Sequence, residues 1–150
     1  MNNDQMIYFA YGANLSKTDM ARRCPGCIPL QRALLPDHRL VFRGVADIVP
    51  AEGETVQGAF YRITPEHLDA LDDFEGMPYL YIRKEMTVLL EDGNEAKAIL
   101  YQMTNRKTFS RPGLSYLVMI IEGCRSWGIA EEYIDKIRKA ASPTQKEDKS

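Results

Sequence analysis

YFAYGANLS, residues 8–16, carries an apolar run straight into a turn of small residues, Gly12-Ala13-Asn14. The run reads as a short buried strand from Gln5 to Ala10, and Tyr11 to Leu15 as the loop that leaves it. Glycine and asparagine in such a turn have an ordinary explanation, since both tolerate the positive φ of a chain reversal. They also have a chemical one. Ser16 follows at a helix N-cap position, with Asp19 three residues on, so the loop feeds a short helix, KTDMARR, that ends before Pro25. A small-residue loop feeding a helix offers backbone N–H groups that can hold a carboxylate or an oxyanion.

Outward from this loop the pattern alternates between strands and helices. HRLVFRG (38–44) and TVQGAFYRI (55–63) read as strands, and ADIVPAEGE (46–54) between them as a loop or irregular edge. Gly58 inside the second strand points to a bulge or a close backbone approach. In TPEHLDALDDFEG, Thr64 is an N-cap, Pro65 fits the first helical position and Gly76 the C-terminal cap, which predicts a helix over 65–75 with Leu68, Leu71 and Phe74 in one apolar stripe. YLYIRKEMTVLL and EAKAILYQM flank an Asp92-Gly93 turn, a strong hairpin signal. A helix follows Pro112 and runs to about Trp127, capped by Gly128, and AEEYIDKIRKA makes a last amphipathic helix with Tyr133, Ile134 and Ile137 on its apolar side. This is an α+β pattern whose mixed or antiparallel sheet can close into a small barrel. Residues 1–141 are expected to form a single domain, and the polar, proline-bearing 142–150 a disordered tail.

The bulk numbers narrow the function classes. The 150 residues carry 19 basic and 21 acidic side chains, a net charge of -2, which gives no footprint for nucleic acid. No apolar run nears the ~18 residues of a membrane span. MNNDQ lacks the basic-then-apolar order of a secretory signal, so a cytoplasmic location is the expectation. Three cysteines, an odd number, argue against a disulfide framework.

One helix places its acids badly. Asp69, Asp72, Asp73 and Glu75 crowd toward the C-terminal end of 65–75. The helix dipole is negative there and disfavours each carboxylate by ~0.3–1 kcal/mol. Asp72 and Asp73 read as solvated. Glu75 precedes the apolar and aromatic Gly76-Met77-Pro78-Tyr79. Pointing inward, it would have its pKa raised by desolvation, the dipole and its acidic neighbours, which suits a general acid/base near neutral pH. Pointing outward, it is one more surface glutamate.

RRCPGC offers a rival chemistry. Cys24 and Cys27 have the spacing of a redox or metal motif. The helix ends before them, however, so no helix N-terminus lowers a thiol pKa. A zinc site wants four ligands, and only Cys124, His38 and His67 remain as candidates. A Pro-Gly turn with two half-buried thiols is the simpler reading, and His67 reads as a surface residue.

YFAYGANLS, LDDFEGMPYLYIRKEMTV and RPGLSYLVMIIEGCRSWGIAEEYIDKI, in that order from about Tyr8 to Ile137, resemble the γ-glutamylcyclotransferase family. The glycine loop alone is a weak signal, but the loop with a distant Leu-Asp-x-x-Glu-Gly in register is far more specific. The resemblance implies a small closed mixed β-barrel flanked by helices and a reaction without cofactor or metal. In that reaction the α-amine of a small-molecule γ-glutamyl amide attacks its own γ-carbonyl and releases 5-oxoproline and an amine. It also implies that Tyr11, Gly12, Ala13, Asn14 and Leu15 bind the γ-glutamyl group, that Glu75 is the general acid/base, and that Tyr81 and Tyr116 line the pocket. The family commonly has serine where this chain has Ala13, so one hydroxyl contact is missing. The remaining readings are a catalytically inactive small-molecule binder of the same fold and a thiol-redox protein using Cys24 and Cys27. Neither a membrane nor a nucleic-acid partner is expected. Met119 and Trp127 would suit a homodimer face, or equally a packed core. Arg83, on the same strand face as Tyr81, either meets a carboxylate or is solvated.

Overall fold

In β1 (Met6–Ala10) successive side chains point to opposite faces, and the chain uses both. Phe9 and Tyr11 enter one buried cluster with Phe42, Phe60, Leu100 and the apolar faces of the last two helices. Tyr8 and Ala10 enter a second, with Tyr61, Leu68, Leu71, Tyr81 and Tyr101. The computed structural model describes residues 6–104 and 108–142. Gln5 and the expected tail beyond Ser142 lie outside them.

After β1 come a 3₁₀ turn (Ala13–Leu15), α1 (Lys17–Arg23), β2 (Ile28–Arg43), β3 (Val45–Ile63), α2 (Pro65–Glu75), β4 (Tyr81–Leu90), β5 (Glu95–Met103), α3 (Leu114–Ser126) and α4 (Glu131–Ala141). The strands close in the order β1-β3-β2-β4-β5. All neighbours are antiparallel except β1 and β5, which run parallel and meet at Tyr8 and Ile99, so the barrel is mixed. Gly58 lies where β3 crosses β1: a Cβ there would stand 2.3 Å from the Ala10 carbonyl oxygen. The close approach read from the sequence is what the fold needs.

Two expectations are corrected. Residues 46–54 are not a loop but part of β3, and β2 begins ten residues before His38, at Ile28. Pro29, Pro36, Pro50 and Gly53 obscure this signal. The structure accommodates them in a long β2–β3 hairpin that turns at Gly44 (φ 82) and shifts register between Pro29 and Arg32 and between Pro36 and His38. At the second shift Asp37 takes φ 59 and its carboxylate accepts the Gly53 N–H at 3.0 Å. Among the described residues no helix is long and apolar enough to cross a membrane.

Candidate active site

A cavity of about 130 Å³ opens where β1, the loop after it, the β2–β3 turn and the end of α2 meet. Tyr11, Gly12, Ala13 and Asn14 form one wall and Glu75 faces in from another, with Tyr8, Val45, Ala46, Phe74, Leu80, Tyr81, Tyr101 and Tyr116 completing the lining. The volume is well below the ~300–1,000 Å³ of a drug-sized ligand pocket, so it suits one small polar group.

The loop wall is an array of donors. The chain folds into a single 3₁₀ turn, in which Leu15 N–H donates to the Gly12 carbonyl and Ser16 N–H to that of Ala13. The N–H groups of Gly12, Ala13 and Asn14 make no hydrogen bond to the described residues. The loop sits hard against its neighbours: a Cβ on Gly12 would lie 3.1 Å from the Ala46 Cβ and 3.6 Å from the Tyr116 hydroxyl. From behind, Gly123 of α3 gives way to Leu15, whose Cβ would lie 2.8 Å from a Cβ at 123. Leu15 is therefore not a lining residue. It is fully buried, and its carbonyl accepts the Trp127 indole N–H at 2.9 Å, so it anchors the loop from below. Trp127 also packs edge-on against Tyr61 inside the chain. Ser16 caps α1 by accepting the Asp19 N–H, as the sequence implies.

Glu75 ends α2. Thr64 and His67 form a capping box at the helix start, Leu68 and Leu71 bury its inner side, and Gly76 closes it at φ 68. Phe74 does not continue the buried stripe. It lies at the cavity mouth beneath the Arg23 guanidinium, 3.6 Å from the ring centroid. Asp72, expected to be solvated, is engaged: its Oδ1 accepts the Tyr101 hydroxyl at 2.6 Å and pairs with Arg83 at 2.9 Å. The Glu75 carboxylate has no hydrogen-bond or ion-pair partner among the described residues. Burial pushes its pKa up to about 7, against a smaller downward pull from Arg23. Desolvation rather than the neighbouring acids is the cause.

Tyr81 and Tyr116 both converge on Ala46. The Tyr81 hydroxyl donates to the Ala46 carbonyl, and the Tyr116 oxygen accepts the Ala46 N–H at 3.0 Å. Burial pushes these phenols up, Tyr116 to about 12, so they stay protonated at ordinary pH. Sequence reading missed Tyr8, Val45, Ala46, Leu80 and Tyr101, took Phe74 for a core residue, and had only the alternation around Tyr8 as a hint.

The cysteines fit no reactive arrangement. Cys24 is buried, with its Sγ 3.7 Å from the His67 carbonyl, and burial pushes its thiol up to about 11. Cys27 is half-buried and its thiol is also raised. His67, expected at the surface, is a structural clamp. Its Nδ1 accepts the Thr64 N–H, so Nε2 carries the hydrogen and donates to the Pro25 carbonyl at 2.6 Å. The Pro25-Gly26 turn thus ties the end of α1 to the start of α2. Among the described residues no group of three His, Cys, Asp or Glu side chains could hold a metal ion.

Barrel and cavity together define a small-molecule site with one titratable carboxyl opposite an array of neutral donors. The sequence matches the family described as gamma-glutamyl cyclotransferase, AIG2-like, over residues 8–117, and the chain belongs to that family. It is 30% identical to the gamma-glutamylcyclotransferase of Bos taurus over 149 aligned residues, covering 91% of this chain and 79% of that one. Identity to the Homo sapiens protein of the same name is 29%, over 95% and 81% of the two chains. A solved gamma-glutamyl cyclotransferase superposes with a TM-score of 0.82 at 27% identity, over 94% of this chain and 90% of the other.

Proposed function

We propose that this chain is a γ-glutamylcyclotransferase that converts a γ-glutamyl amide into 5-oxoproline and a free amine. The substrate's α-ammonium gives a proton to Glu75, and the resulting amine attacks the γ-carbonyl carbon. The new carbon–nitrogen bond closes a five-membered ring and leaves a tetrahedral oxyanion. Glu75 then returns the proton to the leaving nitrogen as its bond to the γ-carbon breaks, and the ring nitrogen gives its second proton to the freed Glu75 carboxylate, which passes it to the departing amine. One carboxyl with a pKa near 7 relays both protons, which is the value a base and acid at neutral pH should have. Holding amine and carbonyl at contact distance supplies ~7–11 kcal/mol, so the site needs little else.

The loop of Tyr11, Gly12, Ala13 and Asn14 holds the γ-glutamyl group through its unengaged N–H donors, and Tyr81 and Tyr116 wall the cavity. Phe74 and Leu80, exposed at its mouth, border the path of the leaving amine. The single observation that carries this reading is that an unpaired, raised-pKa Glu75 shares one small cavity with three unpaired loop amides. The enzyme is read as cytoplasmic and as acting on a small molecule.

The test is 5-oxoproline release from a panel of γ-glutamyl amino acids and γ-glutamyl alkylamines. Wild type should turn over at least one of them and Glu75→Gln none at a measurable rate. Equal inertness of both across the panel would leave a ligand-binding protein of this fold.

A further inference from the structure

Tyr8, Tyr11, Tyr81, Tyr101 and Tyr116 all line the cavity, but their hydroxyl hydrogens are not equally committed. Tyr11 donates to the Tyr101 carbonyl at 2.6 Å, Tyr81 to the Ala46 carbonyl, and Tyr101 to Asp72 Oδ1. Those three hydrogens serve the scaffold. Tyr8 and Tyr116 use their oxygens instead as acceptors, Tyr8 from Asn14 Nδ2 at 3.0 Å and Tyr116 from the Ala46 N–H. Neither has an acceptor for its own hydrogen among the described residues.

For Tyr8 the arrangement is enforced from behind. Arg23 Nη1 donates to Asn14 Oδ1 at 2.6 Å. A guanidinium has donors only, so the amide oxygen must face Arg23 and its NH₂ must face Tyr8. An oxygen that receives an N–H turns its own hydrogen elsewhere, and Tyr8 is 4% exposed with the cavity before it. A buried O–H without an acceptor is costly, so this one requires a ligand oxygen. Arg23 is held for the task by its stacking on Phe74.

We propose that Tyr8 is a catalytic residue that donates to the substrate's γ-carbonyl oxygen as it becomes an oxyanion. Arg23, acting through Asn14, is the positioning residue that commits the Tyr8 hydrogen to it. The inference rests on the γ-glutamyl reading above. The choice between the substrate's two oxygen groups follows from charge. The α-carboxylate is repelled by Glu75 and is better met by the loop amides, whereas the γ-carbonyl is bonded to the very nitrogen that Glu75 must protonate. Tyr8 and Glu75 line the same small cavity, so that donor shares the space in which the reacting centre lies. A neutral donor aimed where charge develops favours the transition state over the bound substrate.

The test is steady-state kinetics of 5-oxoproline release, on the panel amide that wild type turns over fastest. Tyr8→Phe should lower the pH-independent kcat by roughly 100-fold with KM changed less than about threefold, while melting close to wild type. Arg23→Gln should lower kcat less, and Arg23→Lys, which keeps a donor, should recover most of the loss. The double variant Tyr8→Phe/Arg23→Gln should be no slower than Tyr8→Phe alone, because both act through one hydrogen bond. A Tyr8→Phe enzyme with wild-type kcat, a change in KM alone, or losses that multiply in the double variant would overturn the proposal. A wild type that releases no 5-oxoproline overturns this proposal and the parent reading together, whereas an active wild type with an equally active Tyr8→Phe overturns this one alone.

Discussion

The Tyr101 hydroxyl donates to Asp72 Oδ1 at 2.6 Å, and the same oxygen pairs with Arg83 at 2.9 Å. These contacts fasten the last turn of α2 to β4 and β5, one helical turn before Glu75. The acids at that helix end thus divide the work: Asp72 is engaged by the barrel, and Glu75, three residues on, is left unpaired at the cavity.

Losing this fastening should be felt at the site. Asp72→Asn keeps the shape but weakens the ion pair and the charge-assisted bond. We expect kcat to fall several-fold and stability to drop by about 1–3 kcal/mol. Urea unfolding and 5-oxoproline release, measured side by side, check both. Unchanged kcat would mean that Glu75 is positioned without it.

Activity should follow the ionisation of Glu75. The carboxylate form must take the ammonium proton, so kcat/KM should rise with pH through about 7 and level off above it. Below that point it should drop about tenfold per pH unit. The acid limb belongs to the free enzyme and is read from a pH series at low substrate. A limb near 4.5 would place the carboxyl in water.

The same group sets a stability cost of opposite sign to an ordinary salt-bridged acid. Its pKa rises from 4.5 to about 7 on folding, so between these values the folded chain holds a proton that the unfolded chain has released. Stability therefore falls as pH rises through that window. Glu75→Gln removes the effect and should be more stable than wild type at pH 8, by up to about 3 kcal/mol, with the gap shrinking toward pH 4. Urea melts at the two pH values decide it. Equal stability at both would contradict the burial of the carboxylate.

Reading YGANLS as a donor loop makes Gly12 indispensable. Gly12→Ala would push a methyl to 3.1 Å from the Ala46 Cβ, where β3 leaves little room. The loop should shift by a few tenths of an ångström, and kcat/KM should fall at least tenfold for a loss of stability near 1 kcal/mol. Activity falling no further than stability would speak against the loop as a binding element.

Cys24 and Cys27 should be dispensable for chemistry. Replacing both with serine should leave kcat within about twofold while costing roughly 1–3 kcal/mol of stability, since Cys24 is wholly buried. A large loss of kcat at unchanged fold would revive thiol chemistry.

The local signals in the sequence were the ones it could state. Thr64, Pro65 and Gly76 bound α2 by capping rules, Asp92-Gly93 marks the β4–β5 turn, and Gly58 marks a backbone contact. Glu75 stood out because a carboxylate at a helix C-terminus needs a reason. What escaped notice depends on partners far along the chain. Asp72 reads as free until Tyr101 and Arg83 arrive on β5 and β4, and the prolines of β2 and β3 hide strands that only their mutual pairing stabilises. Tyr8 reads as core because its role comes from Arg23 and Asn14, and Ala46 reaches the site only because the hairpin turns at Gly44.

The most direct test of the central claim is a crystal structure with 5-oxoproline bound. The ring should lie between the Gly12–Asn14 amides and the Glu75 carboxyl, with an oxygen within hydrogen-bond reach of the loop. A well-occupied ligand elsewhere on the barrel, with Glu75 turned to bulk water, would contradict it.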